Sequence, residues 1–273
     1  MTIFSQQASG ILKFGQIKPE FFHSERIKNI SGDSQAAFYL IDKPRDIHSF
    51  KAVSILRHIL QIKKVGFAGT LDPLASGLLI LATGRATKLL DCFHYLPKDY
   101  QADVLFGQTS ETYDLEGAVT INEKAQPFSR VELEKKLKKF IGIQEQTVPI
   151  YSAKKIAGHK MHELARRGQE VRAPQSTVEI YSLNIKDFNW PRLKLEVSCS
   201  AGTYIRSLAH DLGQVMGTGA LLSGLRRVKI GDFNVSQALT WEELNAAKLA
   251  QKKQIPVKVI KLLQDYFFQK SKD

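Results

Sequence analysis

The residue with the clearest chemical potential is Asp72. It is a lone carboxylate in Gly69-Thr70-Leu71-Asp72-Pro73-Leu74-Ala75-Ser76-Gly77-Leu78-Leu79, among small and apolar neighbours. A carboxylate beside so much apolar surface needs a partner, because an unpaired buried charge is costly. Pro73 disfavours helical geometry in the residue before it, so the acid is expected on a loop. A plainer role is open too: Asp72 caps a helix that begins with Pro73. The two roles are compatible.

A second cluster is Ser200-Ala201-Gly202-Thr203-Tyr204-Ile205-Arg206-Ser207, at the junction of a strand-like and a helix-like stretch. Such junctions often carry functional side chains. Arg206 can offer a planar fork of donors to a carboxylate such as Asp72. Tyr204 can stack on a flat ligand. Local text supports equally a surface Arg206 and a core Tyr204.

Other chemistries fit poorly. Thr83-Gly84-Arg85-Ala86-Thr87-Lys88 lacks the spacing of a phosphate-binding loop, and no dinucleotide fingerprint occurs. His159 and His162 have helical ligand spacing, but no cysteine or carboxylate completes a set, so no metal is expected. His210-Asp211 has no serine or cysteine elbow nearby, which argues against a hydrolase triad.

The elements that must position these groups follow from periodicity. Residues 38–41 are a short apolar run closed by Asp42-Lys43-Pro44, a strand and a turn. Residues 49–60 carry Val53, Leu56, Ile59 and Leu60 at helical spacing, with Ser49 as the cap. Residues 100–106 alternate, with Ala102, Val104 and Phe106 on the face of Tyr100. Residues 130–140 read as a charged helix that keeps Leu133, Leu137 and Phe140 inward. Residues 193–200 are the clearest strand, followed by a helix over 204–216 that closes near Gly217, and 225–230 is a further strand. Strands outnumber helices, so the fold class is α+β, a mixed sheet flanked by helices rather than a doubly wound parallel one.

Charge narrows the partner. The 273 residues hold 39 Lys and Arg against 27 Asp and Glu, a formal +12. Such an excess usually meets a polyanion or an anionic membrane surface. The longest apolar run, 78–82, is far short of the ~18 residues a membrane span needs. Two cysteines, Cys92 and Cys199, make neither a disulfide framework nor a zinc site, and they read as reduced, buried and cytoplasmic. No secretory signal opens the chain. Residues 151–172 set Lys154, Lys155, Lys160, Arg166, Arg167 and Arg172 against Glu163 and Glu170. That insertion is either a phosphate-contacting surface or a solvated face; the total charge favours the first.

Several segments, taken in order, resemble the TruB family of tRNA pseudouridine synthases. The segment around Asp72 resembles the family's catalytic-aspartate motif. Leu40-Ile41-Asp42-Lys43-Pro44 resembles its opening strand, Lys98-Asp99-Tyr100 its tyrosine motif, and Gly107-Gln108-Thr109-Ser110-Glu111-Thr112-Tyr113-Asp114 its threonine-and-acid loop. Pro149-Ile150-Tyr151-Ser152-Ala153-Lys154-Lys155, Gly202-Thr203-Tyr204-Ile205-Arg206-Ser207 and Gly224-Leu225-Arg226-Arg227 complete the set, over about residues 38–263.

The resemblance implies a mostly antiparallel sheet and isomerisation of uridine 55 in the tRNA T-loop. Asp72 would be the nucleophile, Arg206 its ion-pair partner, and Tyr100 the residue that stacks on the base and assists loss of the C5 proton. Tyr204 and Leu225 would wall the pocket, and Phe67, Glu111, Lys154, Lys155, Arg226 and Arg227 would contact RNA. No cofactor is implied, because the reaction needs neither redox chemistry nor an external group. The partner is a tRNA T-stem-loop, and a monomer is expected.

Two residues depart from the pattern. Phe67 stands where bacterial members usually have histidine, and Glu111 where many have aspartate. Residues 1–36 read as a loosely docked extension, 37–265 as the catalytic domain and 266–273 as a tail, with too few residues at the end for the customary PUA domain. The competing readings are a non-catalytic RNA-binding protein or tRNA-folding chaperone, and a synthase acting on another RNA stem-loop.

Overall fold

The computed structural model describes residues 33–246, apart from 153, 157 and 170. The expected extension, except for 33–36, and the expected tail lie outside the described residues. In chain order the elements are β1 (Ala37–Lys43), α1 (Ser49–Leu60), β2 (Val65–Ala68), β3 (Ala75–Thr83), α2 (Leu90–His94), β4 (Lys98–Phe106), β5 (Gln108–Ser110), β6 (Val119–Ile121), α3 (Arg130–Leu137) and β7 (Gly142–Thr147). They continue as β8 (Lys155–Ile156), β9 (His159–Lys160), α4 (Met161–Arg166), β10 (Gln175–Asn189), β11 (Arg192–Cys199), α5 (Ile205–Met216), β12 (Ala220–Ile230), β13 (Phe233–Asn234) and α6 (Trp241–Asn245). The chain forms two compact units: one ends at Leu96 and resumes at Arg227, and the other is Pro97–Arg226.

The first unit is organised by β3. It pairs antiparallel with β1, Ala37 facing Thr83 and Lys43 facing Gly77, and with β2, Val65 facing Thr83. Leu78 to Ala82 are all 0% exposed. Leu78, Ile80 and Ala82 enter a cluster with Phe38, Leu40 and α2 residues Cys92 and Phe93. Leu79 and Leu81 enter a second cluster with Tyr39, Ile41, α1 residues Val53 and Leu56, and Leu244 of α6. Period-2 alternation thus sends one strand's side chains into two cores, which explains why its text is continuously apolar. Helix α1 begins at Ser49 as expected, but His48 is the N-cap, without a side-chain cap hydrogen bond. The expected Ser49 cap is wrong because that hydroxyl bonds Leu71 instead.

In the second unit β4, β11, β10 and β7 lie side by side, and each neighbouring pair is antiparallel. Ala102, Val104 and Phe106 of β4 and Leu193, Leu195 and Val197 of β11 form one core with Leu133 and Leu137 of α3 and Leu208 and Leu212 of α5. A capping box starts α3: Ser129 Oγ accepts from Glu132 N, and the Glu132 carboxylate accepts from Ser129 N. Helix α5 ends at Gly217, as the sequence predicts. β12 begins at Ala220, five residues before the predicted start. The α+β expectation holds in both units.

Helix α5 also carries His210, whose ring stacks on Tyr113 at 3.9 Å between centroids, and Asp211. Burial lowers the His210 pKa and raises that of Asp211. A raised carboxyl contributes stability that is complete below its unfolded pKa and is lost as pH rises through the folded one. Asp211→Asn is neutral throughout. It should raise the melting temperature at pH 7 by about a degree or two, and the gain should vanish near pH 3. Thermal melts at the two pH values check this.

Candidate active site

Asp72 is half-buried on the loop between β2 and β3. The helix expected after Pro73 does not form. A short turn, closed by Ala75 N donating to the Asp72 carbonyl at 3.0 Å, leads directly into β3. The reason is burial: Leu71 and Leu74 are 3% and 5% exposed, and Ala75 onward is drawn into the sheet.

The loop backbone is tied at nearly every step. Ser49 Oγ donates to the Leu71 carbonyl at 2.8 Å and accepts from Leu71 N at 3.1 Å. Asp46 N donates to the Pro73 carbonyl at 2.7 Å. Lys43, 0% exposed, donates from Nζ to the carbonyls of Pro44, Ile47 and, at 3.4 Å, Pro73. Arg227 donates to the carbonyls of Leu78 and Gly69. An ammonium and a guanidinium removed from water are tolerable only when hydrogen-bonded in this way. Every one of these contacts ends on main-chain atoms.

In the second unit Arg206, in the first turn of α5, is 5% exposed, which overturns the surface alternative. Nη1 donates to the Thr112 carbonyl at 3.0 Å, Nη2 donates to the Tyr151 carbonyl at 3.1 Å, and Nη1 lies 3.5 Å from Asp114 Oδ2. Asp114 is 0% exposed, and its Oδ1 accepts from Thr112 Oγ1 at 2.6 Å and Glu116 N at 2.9 Å. One fork therefore joins the threonine-and-acid loop to the start of the basic insertion. Glu111, exposed, accepts a hydrogen bond from the Tyr151 hydroxyl. Partial burial and that bond raise the Tyr151 pKa.

The remaining residues fall around these two cores. Tyr100, on β4 opposite Val197, and Leu225, on β12, are half-buried against the same apolar cluster of the second unit. Tyr204 is half-buried as the N-cap of α5 rather than fully in the core. Gln146 grips its backbone twice: Tyr204 N donates to Oε1 at 2.8 Å and Nε2 donates to the Tyr204 carbonyl at 3.0 Å. Phe67, on β2 opposite Leu81, packs partly against the α1-side cluster of the first unit. Lys154 and Arg226 are half-buried, while Arg166, Arg167 and Arg172 are exposed. The side chain of Lys155 lies outside what is described. Arg227, grouped with Arg226 in the sequence, is turned inward at 2% exposure. Among the described residues no group of His, Cys, Asp and Glu converges as metal ligands do.

Sequence reasoning gave no site role to Lys43, Ser49 or Asp114, which it named only as a helix cap or within motifs, and it passed over Gln146. Two signals were available: a lysine ending a buried apolar strand, and an acid closing a loop already matched by motif.

Comparison with known proteins places the chain in a family. The model of the TruB family pseudouridylate synthase N-terminal domain matches residues 57–205, and that of the tRNA pseudouridylate synthase B C-terminal domain matches 206–266. The tRNA pseudouridine synthase B of Acaryochloris marina is 42% identical over 212 residues, covering 76% of this chain and 72% of that protein. The protein of the same name from Parabacteroides distasonis is 40% identical over 210 residues, 75% of this chain and 89% of that protein. Among solved structures, a chain of a Cbf5-Nop10-Gar1 complex superposes with a TM-score of 0.61 at 26% identity; 78% of this chain matches 54% of that one, about half its length. With family models covering most of its length and relatives at 40% and 42% identity, the chain belongs to the TruB family of pseudouridylate synthases.

Proposed function

We propose that the chain converts uridine 55 in the T-loop of tRNA to pseudouridine, with Asp72 as the nucleophile. The observation that carries the reading is the Asp72 loop: a half-exposed carboxylate on a backbone tied by Ser49, Asp46, Lys43 and Arg227. The N1–C1′ bond breaks, a C5–C1′ bond forms, and the C5 proton is lost as N1 gains one. The ionised carboxylate supplies the electron pair that a covalent step requires. Arg206 supplies the site's fixed positive charge, and Tyr100 stacks on the base and assists loss of the C5 proton. A base inside folded RNA reaches such groups only by leaving its stack, for which Tyr204 and Leu225 provide apolar walls. The names of the two relatives support tRNA as the substrate.

Exposed Arg166, Arg167 and Arg172 form the phosphate-contacting surface. RNA affinity should fall with salt by about 0.7 log units per log unit of salt for each single-strand phosphate neutralised. Arg166→Gln together with Arg167→Gln should flatten the slope by about 1.4 and leave the rate at saturating RNA unchanged. Filter binding from low to moderate salt reads this. An unchanged slope would assign the surface to something else. The function itself is tested by mapping pseudouridine in tRNA from cells with and without the gene. Loss at position 55 supports the reading, and loss at another RNA site overturns it.

A further inference from the structure

Arg227 lies in the second half of β12 and is 2% exposed. Its Nε donates to the Leu78 carbonyl at 2.8 Å, and Nη2 donates to the Gly69 carbonyl at 2.9 Å. These carbonyls stand on either side of Asp72, so one planar group spans the entry of its loop and the strand β3 into which the loop leads. Glycines stand at both approaches, Gly77 against the Arg227 backbone and Gly69 against its guanidinium. Gly77 has φ +104°, and a Cβ there would come within 2.2 Å of the Arg227 carbonyl oxygen. A Cβ on Gly69 would sit 3.3 Å from a guanidinium nitrogen.

Two roles are available to such an arginine. As an RNA contact it needs an accessible charge, and Arg227 is almost wholly out of water. As a strut it needs fixed acceptors, and it has them on both sides of Asp72, at Gly69 and at Leu78 of β3. We propose that Arg227 is a positioning residue: its guanidinium clamps residues 69–78 so that the Asp72 carboxylate is presented in one place, and it contributes no phosphate contact. The proposal rests on the reading of Asp72 as nucleophile. Lysine cannot replace it, because an ammonium is a point charge and cannot hold both carbonyls in the plane of a fork. A misplacement of about 1 Å at a reacting group costs on the order of 10²-fold in rate.

The test compares wild type, Arg227→Lys and Arg226→Gln, all as the full chain. Lysine keeps the stem and the charge, so the fold is retained. Three readouts are used: single-turnover pseudouridine formation on a T-stem-loop RNA, the salt slope of RNA binding, and amide hydrogen exchange over residues 69–78. For Arg227→Lys the expected result is a rate about 10²-fold lower, RNA affinity within about threefold, an unchanged salt slope and faster exchange at 69–78. Arg226→Gln is expected to flatten the slope by about 0.7 and leave that exchange as in wild type. Wild-type exchange at 69–78 in Arg227→Lys overturns the clamp. So does a slope flattened by about 0.7 with the rate retained, which would make Arg227 a phosphate contact. If wild type itself forms no pseudouridine, the reading of Asp72 fails, and exchange at 69–78 still decides the clamp.

Discussion

Asp72→Asn is expected to form no detectable pseudouridine and to bind T-loop RNA within about tenfold of wild type. The reason lies in what ties the loop. The loop is tied through main-chain atoms, by Ser49 to Leu71, Asp46 and Lys43 to Pro73, and Arg227 to Gly69 and Leu78. Asparagine keeps the shape of aspartate, so this scaffold survives the change. What is lost is the anion that we propose as the nucleophile. Removing a nucleophile in an enzyme that works through a covalent step lowers the rate by on the order of 10⁴-fold or more, about 5.5 kcal/mol in the barrier. The loss therefore falls on turnover and hardly on binding. An assay that follows RNA binding and product formation on one sample separates the two.

Arg206→Lys is expected to lower the rate by on the order of 10²–10³-fold while the protein stays folded. The guanidinium now spans the Thr112 carbonyl, the Tyr151 carbonyl and the Asp114 carboxylate from a side chain that is 5% exposed. Lysine carries the charge to this place but has no fork, so it cannot satisfy all three at once. Arg206→Met is the less informative change. It would leave Asp114 as an uncompensated buried charge, at a cost of about 3–5 kcal/mol. That is a large share of the about 5–15 kcal/mol by which a domain is stable, so lost activity would only report unfolding. With lysine, a native melting curve and a low rate together identify the fork. Near-wild-type turnover in Arg206→Lys would remove Arg206 from the catalytic set.

Where one face of an element is buried, its place was legible in the sequence. The alternation of β4 and β11 and the helical spacing of α1, α3 and α5 all correspond to observed elements. β3 escaped for the opposite reason. Both its faces are buried, so its text is continuously apolar and has no period to read. β10 was missed because register shifts between Ile180 and Ser182 and between Ile185 and Asp187 break its alternation. The opening of β12 is interrupted by Ser223 and Gly224, which read as a break.

The site was legible in residue types but not in direction. Pro73 correctly placed Asp72 on a loop, while the apparent cap was a turn into a strand, because the pull of β3 on Ala75 onward is a tertiary effect. Arg226 and Arg227 are adjacent and chemically identical. Only the structure distinguishes the half-buried one from the one committed to Gly69 and Leu78. The partners of Arg206 come from residues 112, 114 and 151, and no local spacing announces them.

The central claim is tested most directly with purified wild-type and Asp72→Asn protein on an unmodified tRNA transcript, followed by position-resolved mapping of pseudouridine. The account predicts conversion of uridine 55 alone by wild type and none by Asp72→Asn. Conversion at another uridine, or turnover retained in Asp72→Asn, would contradict it.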